Sequence, residues 1–204
     1  MAERYPIPAE EARATIGVAN SRFIATAACT ASVEAARALI AQVRAALPDA
    51  SHHCYAFLVG YGSSVTAGMG DDGEPAGTAG RPMLDVVRGS GLGDVTVVVT
   101  RYFGGTKLGT GGLVRAYGDA AKAVLAIVPR IEKIERLSLR VQVSYTAYAV
   151  VRRLLDSYDA QIEGESFAAD VLIDVSLPVD LVEACRVALA EASAGQALVI
   201  ALTQ

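Results

Sequence analysis

Residues 97–117, VVVTRYFGGTKLGTGGLVRAY, constrain this chain more than any other stretch, because one short segment must change from strand to helix across a glycine-rich loop. Val95, Val97 and Val99 alternate with Thr96, Val98 and Thr100, a β-branched run suited to a buried strand. From about Gly111, Leu113, Ala116, Tyr117, Ala120, Ala121, Val124, Leu125 and Val128 form one apolar stripe at helical spacing. Between them, glycine fills five of the nine positions 104–112. Such a density predicts positive φ angles or close backbone approaches. A strand, a glycine loop carrying Lys107, and a helix N-terminus together present backbone N–H groups to an anion.

Known nucleotide motifs do not fit the loop. A phosphate-binding P-loop ends in Gly-Lys-Ser/Thr, whereas Lys107 follows Thr106 and precedes Leu108. The dinucleotide fingerprint needs glycine at 109, 111 and 114, and position 114 is Val. Neither ATP nor NAD is supported, and no cofactor is expected.

Charge is divided unevenly along the chain. Residues 1–130 carry 12 Lys/Arg against 11 Asp/Glu, while residues 131–204 carry 6 against 11, so an anionic partner is expected to meet the N-terminal part. The overall charge of −4 argues against a protein that coats nucleic acid. With 52% hydrophobic and 20% charged residues, the chain can build a packed core and is not disordered. Cys29, Cys54 and Cys185 are far apart and odd in number, which fits a reducing compartment. The acidic start MAERYPIPAEEAR lacks the apolar core of a secretory signal, and no apolar run approaches a membrane span. A cytoplasmic protein with no membrane contact is expected.

Residues 1–11 read as an arm with Pro6 and Pro8. Two strands, 12–18 and 22–29, flank Asn20-Ser21 as a hairpin. Ser32 is placed to cap a helix that runs to Pro48, and 52–61 is the next strand. Of the 19 glycines, 15 lie between positions 60 and 112; within this region the polar loop DDGEPAGTAGRPML (71–84) feeds a short helix to about Arg88. Strand 94–103, the glycine loop and the long helix follow. Pro129 ends that helix, and Ile131 to Glu135 reads as a charged junction, which predicts domains at 1–130 and 136–204. The second has the rhythm strand 136–146, helix 147–157, strands 160–167 and 169–177, helix 179–193, strand 197–203: the ferredoxin-like βαββαβ plan.

Four groups of side chains are candidates for chemistry. Asp71, Asp72 and Glu74 read either as a cation or acid–base site or as a solvated turn around Gly73 and Pro75; taken alone, the turn reading is the stronger. By strand parity Arg101 shares the covered face of Val95, Val97 and Val99. Either it meets a carboxylate of the acidic loop, because an unpaired buried charge is strongly unfavourable, or the strand twists it out to solvent. Lys107 and Arg115 are solvated cations, or they close an anion site with Gly104, Gly105, Thr106, Gly109, Thr110, Gly111 and Gly112; Arg115, in the first turn as read here, sits where the helix dipole disfavours a cation. His52 and Cys54 face away from His53 along one strand, and no second Cys/His cluster completes a metal site. Neither a G-x-S-x-G elbow nor a convincing Cys/His pair marks a nucleophile, so catalytic residues are not assigned.

HHCYAF (52–57), DDGEPAGTAGRPML (71–84) and VVTRYFGGTKLGTGGLVRAY (98–117) resemble the signature blocks of the YigZ/IMPACT family. The resemblance spans the whole chain. It implies an α+β protein whose N-terminal domain is similar to domain 2 of ribosomal protein S5 and whose ferredoxin-like C-terminal domain is similar to domain V of elongation factor G. Eukaryotic relatives regulate translation by competing for the activator of a starvation-responsive kinase. They use a further N-terminal RWD domain for which this chain has no counterpart, so that partner is not carried over. Two functions are expected on this basis. One is a translation-associated regulatory or binding protein that contacts RNA, the ribosome, a protein of translation control or another anionic partner through the glycine loop. The other is a hydrolase or phosphate-handling enzyme that uses the acidic loop with Arg101 and Lys107. The lack of a recognisable nucleophile or metal set favours binding.

Overall fold

The computed structural model of the chain describes residues 4–62 and 65–202. It divides into two compact units, Tyr5–Lys133 and a second from Ile134 onward, with Arg4 belonging to the second. Residues 1–3 of the expected arm and the last residue of the expected strand 197–203 lie outside the described residues.

In the N-terminal unit a five-stranded antiparallel sheet has the order β2-β3-β6-β4-β5, formed by Ala12–Val18, Ser21–Cys29, Val95–Tyr102, His52–Val59 and Thr66–Gly70. The valine-rich strand β6 is central and buried on both faces. Helices α2 (Gly80–Gly89) and α3 (Gly109–Ile127) pack on the face of Val95, Val97 and Val99 through Met83, Val87, Leu113 and Tyr117. Helix α1 (Val33–Ala46) covers Val98 on the other face with Leu39, Ile40 and Val43. Ser32 caps α1 by accepting from the Ala35 N–H at 3.1 Å.

Three local differences from the sequence reading have physical causes. Strand β5 was not expected, because glycine is depleted from strands. Here Gly68 and Gly70 are needed: a Cβ at Gly68 would lie 2.2 Å from the Phe57 ring, and one at Gly70 2.5 Å from Tyr55. The supposed arm is strand β1 (Tyr5–Pro8), paired antiparallel with β7 (Arg130–Lys133), which occupies the supposed junction. What holds them is buried Asp94, which accepts from Tyr5 Oη at 2.9 Å, Gly60 N at 2.7 Å and Lys133 Nζ at 2.5 Å. Helix α3 begins at Gly109, ahead of the Gly111 start read from the apolar stripe.

The C-terminal unit consists of β8 (Arg136–Val143), α4 (Tyr145–Ser157), β9 (Gln161–Phe167), β10 (Val171–Pro178), α5 (Val182–Ala192) and β11 (Leu198–Ala201). Its sheet order β11-β8-β10-β9 is the 4-1-3-2 arrangement of a ferredoxin-like βαββαβ fold. Val141, Ile173 and Val175 of the sheet meet Val151 and Leu155 of α4 and Cys185 and Leu189 of α5 in its core. Among the described residues, no helix is long and apolar enough to cross a membrane.

Candidate anion-binding cleft

The acidic loop is built by a tight turn. Asp72 and Gly73 have φ of +42° and +85°, and Glu74 N donates to Asp71 O at 2.9 Å. Positive φ at both central residues is the type I′ pattern, which Asp-Gly adopts readily. The turn sends its three carboxylates in three directions. Asp71 accepts from the backbone N–H of Gly77, Ala79 and Gly80 at 2.8–3.0 Å, so it caps the start of α2 from a distance. Burial alone would raise its pKa, but those three donors outweigh it and hold the carboxyl below the usual range. Asp72 accepts from His53 N at 2.7 Å and pairs with Arg44 of α1 at 2.5 Å.

Glu74 turns inward to Arg101. Arg101 Nη1 donates to Glu74 Oε1 at 2.6 Å, with side-chain exposures of 5% and 4%. Parity of β6 therefore places Arg101 on the covered face, and of the three acidic-loop candidates Glu74 is its partner. The same oxygen accepts from Tyr117 Oη at 2.7 Å, and His52 Nε2 is 3.9 Å away. Glu74 Oε2 has no hydrogen-bond partner among the described residues. The guanidinium is held loosely beyond Glu74: Nη2 reaches Ser21 Oγ at 3.4 Å, and Nε is buried without a partner. Its central carbon lies 5.4 Å from the ring centres of Phe23 and Phe103.

Glu74 and Arg101 form part of the wall of a cleft of about 270 Å³. Pro75, Phe103, Leu108 and Leu113 supply apolar surface, and Lys107, Gly109 and Thr110 complete the lining. Helix α3 starts here with no side-chain cap and no acidic residue in its first turn, so its first N–H groups carry an uncompensated positive dipole. The cleft thus combines a buried ion pair, apolar walls, one exposed lysine and a helix N-terminus.

Not all of the glycine loop takes part. Lys107, Gly109 and Thr110 line the cleft; Gly104, Gly105, Thr106, Gly111 and Gly112 do not. Gly104 has a packing role instead, since a Cβ there would lie 2.0 Å from Asn20 O of the β2–β3 turn. Gly105 and Gly109 hold φ of +83° and +69°. Arg115 corrects the sequence reading most clearly. Because α3 begins at Gly109, Arg115 is beyond the first turn, exposed, and does not line the cleft. The dipole argument therefore does not apply to it.

Several groups have their reactivity suppressed. Burial pushes the Cys54 thiol up to about 12, and its Sγ donates to Asp71 O at 3.0 Å. Burial likewise raises the Tyr117 phenol, which stays a neutral donor to Glu74. No three His, Cys, Asp or Glu side chains converge as a metal would require, among the described residues. Sequence reasoning missed Phe103, Leu108 and Leu113 as cleft walls and Tyr117 as the second partner of Glu74. Only Leu113 and Tyr117 left a signal, as members of the apolar stripe of α3.

Comparison with known proteins agrees with this architecture. The Impact N-terminal domain family matches residues 19–125, and a domain of unknown function (DUF1949) matches residues 141–196. The chain is 40% identical over 203 residues to the IMPACT family member YigZ of Escherichia coli (strain K12), covering 99% of this chain and 100% of that protein. An IMPACT family member of Haemophilus influenzae is 39% identical over 188 residues, covering 92% of this chain and 91% of that one. A solved structure described as a crystal structure of an hypothetical protein matches with a TM-score of 0.73 and 40% identity over 100% of both chains.

Proposed function

This chain belongs to the IMPACT family, and from that premise we propose that it is a translation-associated regulatory binding protein of the cytoplasm whose N-terminal cleft takes an anionic group of RNA or of the ribosome. Family membership supports the translation-related role in general. The observation that carries the anionic partner is the convergence of Lys107 with the uncapped start of α3 beside the underpaired guanidinium of Arg101. A helix N-terminus with a nearby cation attracts phosphate through oriented N–H groups and charge. A protein of translation control docking an acidic segment at the same cleft is the other partner class this chemistry admits.

The hydrolase reading draws less support. Asp71 and Asp72 are engaged by backbone N–H groups and Arg44, Glu74 is tied to Arg101 and Tyr117, and the Cys54 thiol is held neutral.

Binding of a short RNA to the full chain across a salt series tests the proposal. Lys107→Glu is expected to weaken binding and to flatten the slope of log affinity against log salt by about 0.7–0.9 for each phosphate that the variant fails to neutralise. Arg115→Glu, outside the cleft, should change neither. Equal effects of the two variants, or none from either, would refute the cleft as the binding surface.

A further inference from the structure

The cleft is polar at both ends and apolar between them. At its buried end Glu74 spends Oε1 on Arg101 and Tyr117 while Oε2 has no partner among the described residues. Unlike Arg101 Nε, this oxygen is not cut off from solvent; as an unshared acceptor on a residue that lines the cleft, it is where a ligand N–H fits. At the exposed end stand Lys107 and the first residues of α3, which favour an anion. Leu113, one helical turn from Gly109 and one from the Tyr117 that binds Glu74, lies between them along α3, and Leu108 and the half-exposed ring of Phe103 add to the apolar wall.

A ligand complementary to all three parts has an N–H donor at one end, an apolar body in the middle and an anion at the other end. A lone phosphate meets only the outer part and leaves the apolar wall and the Glu74 acceptor unused. A nucleotide matches the whole: a base N–H for Glu74, base faces for the aromatic and aliphatic wall, and a phosphate for Lys107 and α3. The volume of about 270 Å³ falls just under the usual range for small-molecule sites and holds one such unit rather than a run of bases. We propose that the cleft binds a single nucleoside 5′-monophosphate, either free or as the 5′-phosphorylated terminal nucleotide of an RNA. The inference rests on the anion-site reading above and adds the base to it.

The test is titration calorimetry of the full chain with AMP, GMP, CMP and UMP, and with adenosine, ribose 5-phosphate and inorganic phosphate. At least one monophosphate should bind saturably, with adenosine and ribose 5-phosphate each weaker. Phe103→Ala is expected to weaken binding about tenfold by removing base stacking. Lys107→Ala should weaken it by a similar factor, about tenfold, by removing a charge-assisted hydrogen bond to the phosphate. Both side chains are exposed, so these variants report on binding even if Glu74→Gln, which should shift the preference among bases, fails to fold. A 5′-phosphorylated trinucleotide binding tighter than the free monophosphate assigns the site to RNA ends, and the reverse assigns it to free nucleotides; either result upholds the proposal. Ribose 5-phosphate or inorganic phosphate binding as well as any nucleotide overturns it. So does binding of a peptide with an apolar C-terminal residue in place of nucleotides. If no monophosphate binds at millimolar concentration while RNA keeps its Lys107-dependent salt slope, this proposal falls and the anion-site reading stands. Loss of both removes both.

Discussion

Replacing Arg101 by Met should cost far more stability than an ordinary ion pair is worth. Methionine keeps much of the length and the packing against Phe23 and Phe103, so the main change is removal of the charge. Glu74, only 4% exposed, would then retain Tyr117 as its one close hydrogen-bond donor among the described residues. Removing one partner of a buried pair costs about 3–5 kcal/mol, against about 0–1 kcal/mol for an exposed pair. With about 2–4 °C lost per kcal/mol in a chain of this size, the melting temperature should fall by roughly 6–20 °C. Adding Glu74→Leu should recover much of the loss, because two apolar groups leave no orphaned charge. Thermal melts of the four proteins of this cycle at pH 7 measure both effects. A single variant melting within about 2 °C of the parent at pH 7, or a double variant no better than Arg101→Met, would refute a buried, mutually dependent pair.

Two further outcomes are expected. Asp94→Ala leaves the Tyr5 hydroxyl and the Gly60 N–H without their acceptor, at about 1–3 kcal/mol for each such donor, and should release β1 and β7, as read by urea unfolding and by amide exchange of Ile7, Ile131 and Lys133. Burial opposes the ionised form of Asp94, but Lys133, Gly60 and Tyr5 outweigh it and hold the carboxyl below its ordinary value, so its contribution is present above the unfolded pKa and lost as pH falls through the lower folded value; the parent should lose stability there more steeply than Asp94→Ala. The glycines of the loop should split: Gly104→Ala must displace Asn20 O, 2.0 Å from the new Cβ, and lower the melting temperature, whereas Gly111→Ala meets nothing within 4 Å and should stabilise α3 by about 0.5–1 kcal/mol.

The sequence by itself determined the elements whose signal is local. Valine alternation in β6, the apolar stripe of α3, the Ser32 cap and the βαββαβ rhythm after residue 135 each follow from spacing or from one residue's chemistry. The signature blocks were enough to indicate the family. Parity along β6 also put Arg101 on the covered side, because alternation in a strand is fixed by backbone geometry. Only the tertiary structure decided what lies across from each residue. Which of three adjacent carboxylates meets Arg101 depends on a turn with two positive φ angles. Whether TAGMG is a loop or a strand depends on its pairing with β4, whose Phe57 and Tyr55 rings lie over Gly68 and Gly70 where a Cβ would meet them. The acidic loop looked like one cluster because its members are neighbours in sequence. In space they are separated, since Asp71 serves α2, Asp72 serves α1 and β4, and Glu74 serves β6 and α3. Arg115 shows the opposite error: a helix start at Gly109 rather than Gly111 carries it out of the first turn, and no local pattern marks a start that has no cap.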